Sequence, residues 1–185
     1  VLADASGRVA EDLRRPSFFL YLVHVLGGRR LLRRHLRDER REIVSGACLM
    51  VRREVIAEVG VLDGNLFWCE DVDFCVRIGG AGYRVVRVPD AVVLHLEGDS
   101  ARSNLSLVLE KQYTSKIMFL RKHASSLETR LTIAVFLVQL SARALKWSVL
   151  ALLAPSPEAR TRASACSYLL RELPRYFRTA YPWES

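Results

Sequence analysis

This sequence predicts an α/β domain that runs into a block of helices, on three observations. Apolar, β-rich runs at Ile43–Val51, Tyr83–Val88 and Ala91–Leu96 alternate with short helical segments in the N-terminal part. Glycine and proline punctuate those runs, at Gly60, Gly79-Gly80-Ala81-Gly82 and Pro89-Asp90. After Ser103 apolar residues recur at helical spacing instead, so the expected boundary separates 1–102 from 103–185. A chain of 185 residues is long enough for a real hydrophobic core.

The first element is an apolar run from Phe18 to Leu26, entered after Pro16 and ended by Gly27-Gly28. It is too short to span a bilayer and is expected as a buried or interfacial helix. Residues 29–42 carry Arg29, Arg30, Arg33, Arg34, Arg37, Arg40 and Arg41 among Asp38, Glu39 and Glu42. They read either as a solvated segment or as a basic patch for the phosphates of a lipid or nucleotide. Ile43–Val51 is expected as a buried strand in which Gly46 lets another group approach the backbone. Arg52–Val59 is expected as a helix with Val55, Ile56 and Val59 on its apolar face and Gly60 as its C′ residue. The turn Val61-Leu62-Asp63-Gly64-Asn65 then delivers the chain to Phe67-Trp68-Cys69-Glu70-Asp71-Val72-Asp73-Phe74-Cys75-Val76-Arg77. A helix is expected from Asp71 to about Ile78, capped by Asp71, with Glu70 to Asp73 at the positive end of its dipole. Phe74, Cys75 and Ile78 form its buried stripe, and Asp73 meets Arg77 at i,i+4. The strands Tyr83–Val88 and Ala91–Leu96 follow, the second carrying His95.

Leu105–His123 is expected as an amphipathic helix. Leu127–Ala154 is a longer apolar one, in which Thr132, Gln139, Arg143 and Lys146 are spaced 7, 4 and 3 apart and fall on one stripe. A transmembrane span would bury Arg143 and Lys146 at roughly 2.5–3.5 kcal/mol each. Lying in the membrane interface with that stripe toward water costs less, and packing on the domain body is the alternative. Pro155-Ser156-Pro157 precedes a final basic helix, Glu158 to about Ala180, broken near Pro174.

The net charge of +8, mostly arginine, favours anionic partners such as nucleotides, phospholipid headgroups or nucleic acid. Nucleic acid is the weakest of these, because no aromatic residues interleave with the Arg-rich segment and no recognition motif occurs. Cys48, Cys69, Cys75 and Cys166 show neither a CxxC pair nor a disulfide framework, and are expected as buried thiols in a reducing compartment. The chain begins Val1-Leu2-Ala3-Asp4, without an initiator Met or a secretory leader, a start expected of a piece of a longer sequence.

Chemistry concentrates in the acidic stretch. Glu70, Asp71 and Asp73 place three carboxylates within four residues of a basic chain. A carboxylate there could take a proton from a hydroxyl. His95, on a strand expected to end at the same sheet edge, could ligate a divalent cation that neutralises a leaving diphosphate. Magnesium prefers oxygen ligands, whereas manganese accepts an imidazole more readily. The same residues also read as a helix start placed for the dipole, a routine ion pair and a structural histidine.

Several blocks in one order carry a resemblance. Ser45-Gly46-Ala47-Cys48-Leu49-Met50-Val51-Arg52-Arg53, Val59-Gly60-Val61-Leu62-Asp63, Phe67 through Arg77, Gly82-Tyr83, Val88-Pro89 and His95 resemble the acceptor-side half of family-2 glycosyltransferases. The pattern is similar to that of the bacterial rhamnosyltransferase-like group, which builds cell-surface polysaccharides. The resemblance implies a partial GT-A fold, a Rossmann-like α/β sandwich, within 1–102. It implies inverting transfer of a sugar, rhamnose being the candidate, from a nucleotide-sugar to a glycan or lipid-linked acceptor. In that family's pattern Asp71 is the catalytic base, and Glu70 and Asp73 shape the acceptor site. Ser45, Gly46 and Ala47 line the sugar-binding cleft, Trp68 offers a face to a sugar ring, and His95 helps bind the metal, Mg²⁺ or Mn²⁺. The family's donor-binding half and its DxD motif are expected upstream of Val1, because Asp71-Val72-Asp73 stands where the base motif belongs. Such an enzyme is expected in the cytoplasm at the inner face of the plasma membrane, with 103–185 associating with that surface. A truncated, non-catalytic, membrane-associated interaction module is the alternative reading.

Overall fold

The computed structural model describes residues 2–3, 16–25, 43–88, 90–94 and 105–176. Contacts divide the chain into two units, Val1–Arg15 with Arg33–Asp99, and Pro16–Leu32 with Ser100–Ser185. The second cut falls between Asp99 and Ser100. The first differs from the expectation of one continuous N-terminal domain, because Pro16–Leu32 joins the C-terminal helices.

In the first unit, β1 (Leu2–Ala3) and β2 (Val93–Leu94) pair in parallel, with Leu2 opposite Val93 and Ala3 opposite Leu94. Parallel neighbours need a crossover, and the intervening chain supplies it. Among the described residues this short ladder is the one β pairing. Helix α2 is Arg53–Val59, and α3 is Glu70–Gly80. Gly60 ends α2 at φ 78°, a conformation that favours glycine, and its N–H donates to the Ile56 carbonyl at 2.9 Å. Val55 of α2 packs with Phe74 and Ile78 of α3, closed over by Leu49, Val51, Val59, Tyr83 and Val85.

Two local expectations change here. Ile43–Val51 is not a strand, since Gly46–Cys48 forms a 3₁₀ turn. Ser45 causes it: its hydroxyl accepts the Ala47 N–H and its carbonyl accepts the Cys48 N–H, both at 3.2 Å, so the backbone is satisfied locally. Asp71 does not cap α3; Cys69 holds the cap position, without a side-chain bond, and Asp71 lies in the first turn. Tyr83–Val88 keeps the alternating half-buried and exposed pattern of a strand but joins no ladder among the described residues.

The second unit is helical: α1 (Phe18–Val25), α4 (Leu105–His123), α5 (Ser126–Leu153) and α6 (Pro157–Tyr176). Its core joins Tyr113 and Ile117 of α4, Phe136, Leu140 and Ala144 of α5, and Cys166, Leu169 and Leu173 of α6. Phe136 is the hub. Tyr21 of α1 meets its ring edge-on with centroids 4.7 Å apart, and Tyr113 does so at 5.0 Å. Ser125 caps α5, its hydroxyl accepting the Glu128 N–H at 3.2 Å. Glu128 does not return the bond as in a capping box; its Oε1 accepts the Phe18 N–H at 3.2 Å and so caps α1 instead.

The inner face of α5 therefore packs on the helical unit. Its supposed water-facing stripe is not uniform: Thr132 is wholly buried, donating to the Glu128 carbonyl at 2.8 Å, while Arg143 and Lys146 are exposed. Helix α6 runs through Pro174 to Tyr176, the last described residue; the proline forgoes the N–H that would reach the Leu170 carbonyl, yet no break falls at it among the described residues. Cys69, Cys75 and Cys166 are buried as expected, whereas Cys48 is exposed on the 3₁₀ turn. The Arg-rich segment 29–42 and His95 lie outside the described residues.

Candidate active site

The 3₁₀ turn and the first turn of α3 meet through one hydrogen bond. Ser45 takes the amides of Ala47 and Cys48, which leaves the Gly46 N–H pointing outward. That N–H donates to Asp71 Oδ2 at 3.0 Å, while Asp71 Oδ1 accepts the Val72 N–H at 2.7 Å. A carboxylate offers about four lone-pair sites, so both oxygens keep acceptor capacity. A Cβ on Gly46 would stand 3.5 Å from the Asp71 Cβ, an ordinary contact. The group that approaches Gly46 is thus Asp71 itself, and the backbone N–H rather than the missing side chain holds it.

Glu70 flanks Asp71 at the start of α3. Its Oε2 is buried and has no hydrogen-bond partner among the described residues. Burial raises its pKa above the ordinary value of 4.5; its own backbone N–H opposes the rise and the neighbouring Asp71 charge adds to it. Two carboxyl groups with different environments therefore sit side by side, Asp71 hydrogen-bonded and Glu70 partly desolvated.

Asp73 is placed differently. It is 0% exposed and pairs with Arg77 Nε through Oδ2 at 2.8 Å. Arg77 goes on to donate to the Val59 carbonyl and, at 2.7 Å, to the Val61 carbonyl, and its guanidinium lies 5.1 Å from the Phe74 ring centroid. In this structure Asp73 has no surface to offer an acceptor; it braces α3 against the end of α2. Cys75, beneath Asp71 in sequence by one helical turn, sends its thiol toward the Val44 carbonyl at 3.8 Å, tying α3 to the entry of the 3₁₀ turn.

Trp68 is 36% exposed and stands beside Phe67, 60% exposed, with ring centroids 5.3 Å apart and planes tilted by 57°. Beside Trp68, the ring expected to face a sugar, Phe67 is the second aromatic that this turn exposes. The adjacency of two large aromatics in a turn was the available signal, since a turn buries neither ring fully. The carbonyl contacts of Arg77 were likewise not readable from its i,i+4 spacing to Asp73.

The structure thus brings Ser45, Gly46, Ala47 and Asp71 together, with Glu70 adjoining, and sets Asp73 apart in the interior. Among the described residues no group of three or more His, Cys, Asp or Glu side chains could hold a metal ion. Glu70 and Asp71 alone do not make a cation site, and the remaining expected ligand, His95, lies outside the described residues.

No family model matches the chain, and no solved structure matches it. It is 40% identical over 78 residues to Mycobacterium tuberculosis proteins, from strains CDC 1551 / Oshkosh and ATCC 25618 / H37Rv, named N-acetylglucosaminyl-diphospho-decaprenol L-rhamnosyltransferase. The similar stretch takes in 42% of this chain and 25% of those proteins, so the chain spans about a quarter of the length of the curated relatives it matches. The likeness supports a relationship to glycosyltransferases.

Proposed function

We propose that this chain is the acceptor-side part of an inverting, nucleotide-sugar-dependent glycosyltransferase of GT-A type, with Asp71 as its base. The observation that carries the reading is the Gly46 N–H to Asp71 bond. It joins the Ser45-Gly46-Ala47 block to the Glu70-Asp71 block, which lie 25 residues apart. In the reaction Asp71 accepts the proton of an acceptor hydroxyl. The freed oxygen attacks the anomeric carbon of the donor sugar, and the nucleoside diphosphate leaves with the bonding pair. One displacement inverts the centre, so a single base suffices and no covalent intermediate forms. The Gly46 N–H fixes the carboxylate while leaving lone pairs on both oxygens, and Phe67 and Trp68 offer aromatic faces to a sugar ring.

The relatives' name points to L-rhamnose as the sugar and to a polyprenyl-diphosphate-linked amino sugar as the acceptor class. We carry both to this chain as part of the proposal, together with work in the cytoplasm at the inner face of the plasma membrane. Mg²⁺ or Mn²⁺, held with the help of His95, would neutralise the leaving diphosphate. The test is Asp71→Asn in the complete coding sequence, assayed for rhamnosyl transfer to a polyprenyl-linked acceptor. Loss of a general base predicts a rate lower by about 10²–10⁴-fold in a variant that still folds by circular dichroism. Asparagine keeps one acceptor oxygen for the Gly46 N–H and gives up the one that takes the Val72 N–H, so normal turnover in this variant would overturn the assignment.

A further inference from the structure

Helix α5 has two apolar faces, and among the described residues only one of them is covered. Thr132, Phe136, Leu140 and Ala144 repeat every fourth residue and are buried in the helical unit. On the opposite side Leu127, Leu131, Val138, Leu145, Val149 and Leu152 form a second stripe, each between 40% and 79% exposed. At 3.6 residues per turn the stripe runs nearly straight along a helix of 28 residues, about 42 Å long. Arg130 and Lys146 are exposed about 80° to either side of it.

We infer that this outer face of α5 docks in the plane of an anionic lipid bilayer, apolar stripe down, with Arg130 and Lys146 reaching the headgroups. Charge selects this occupant. The one carboxylate on α5 is Glu128, and it is engaged with the Phe18 N–H. The described stretch 105–176 holds eleven Lys and Arg against four Glu. A second copy of the chain would set like-charged flanks against each other, with no carboxylate on the outer face to pair them. An acidic headgroup layer meets both flanks favourably, and side chains of this kind reach headgroups while their stems lie on apolar surface.

Geometry also selects an in-plane helix over a span, although α5 is long and apolar enough to cross a membrane. Its inner face is packed against α1, α4 and α6. A span would carry α4 and α6 into hydrocarbon with their eight Lys and Arg, or else strip the buried Thr129 and Thr132 of their packing. Lying in the interface keeps the bundle intact. This placement agrees with work at a membrane surface but rests on the helical unit alone, independently of Asp71.

Flotation of the 185-residue chain with phosphatidylcholine vesicles, with and without phosphatidylglycerol, tests it. Binding is expected to the anionic vesicles at low salt and to weaken as salt rises. Arg130→Gln with Lys146→Gln should weaken it on the order of thirtyfold, and Val138→Glu with Leu145→Glu should abolish it while the circular dichroism melt stays unchanged. No flotation with anionic vesicles at low salt overturns the inference, as does undiminished flotation of the Val138→Glu, Leu145→Glu variant. Resistance to alkaline carbonate extraction would overturn it in favour of a span. A dimer in gel filtration that this variant dissolves, without vesicle binding, would assign the face to a second copy. Activity of Asp71→Asn bears on none of these outcomes.

Discussion

Two adjacent carboxylates and a third buried one illustrate how far residue identity underdetermines role. Asp71, Glu70 and Asp73 read alike in sequence as an acidic helix start. Folding gives the first an outward-facing backbone donor, leaves the second with an oxygen that has no partner among the described residues, and seals the third against Arg77. The Asp73–Arg77 spacing was legible; its burial was not, because burial depends on Val59 and Val61 arriving from the end of α2 to receive the same guanidinium. Removing Arg77 leaves Asp73 as an uncompensated buried charge. Arg77→Met should therefore lower unfolding stability by about 3 kcal/mol, and adding Asp73→Asn should restore part of the loss. Urea midpoints of the two variants check this; a single variant that unfolds with the parent would show that the brace carries no load. Glu70 makes a prediction of opposite sign. Its folded pKa is raised, so its protonated form suits the fold, and its stabilising contribution is present below the ordinary value of 4.5 and lost as pH rises through the folded value. Glu70→Gln should be more stable than the parent at pH 7, with the difference closing below about pH 4.5. An equal stability gap at both pH values would show that its desolvation does not reach the fold.

At the scale of elements, the helices were legible where periodicity and caps agreed. Arg53–Val59 with Gly60, Leu105–His123 and Ser126–Leu153 all stand within a residue or two of their expected ends. The failure at Ile43–Val51 has a local cause. Its apolar, β-branched composition suits a strand, but Ser45 offers the backbone a competing acceptor, and Gly46 and Ala47 resist neither outcome. A one-dimensional pattern cannot weigh that competition, because a ladder depends on a neighbour and the 3₁₀ turn does not. Helix α5 shows the complementary limit. Periodicity located a polar stripe but could not say which side the protein covers. Thr132 of that stripe is buried in the helical unit, its hydroxyl satisfied by the Glu128 carbonyl, and the outermost face is apolar. Ser125 and Glu128 stand three apart, as the halves of a capping box do, yet only the serine half caps α5. The glutamate half is spent on α1, a partner more than a hundred positions away that no local motif can name.

At the scale of the whole molecule, that bond exposes how the chain is threaded. Helix α1 precedes the first unit's residues 33–99 in sequence but belongs to the helical unit, so the first unit interrupts the second. Composition placed the boundary near 102, where strand-like runs give way to helical ones. It had no means of assigning Phe18–Val25, an apolar run that would suit either unit. Tyr21 decides the matter by stacking edge-on at Phe136, itself only 2% exposed. A fragment of 103–185 would consequently bare Phe136 and leave Glu128 without the Phe18 N–H. Loss of one large aromatic contact costs about 2 kcal/mol, which for a domain of this size lowers the melting temperature on the order of 10 °C. Joining residues 16–32 to 103–185 through a Gly/Ser linker, with 33–99 deleted, should recover that loss. Melting of the fragment, the linked form and the linked form carrying Tyr21→Ala by circular dichroism measures it. The linked form should melt highest and its Tyr21→Ala variant should fall back toward the fragment. Equal melting of the fragment and the linked form would mean that α1 adds nothing to the helical core, and that the boundary near 102 divides the molecule after all.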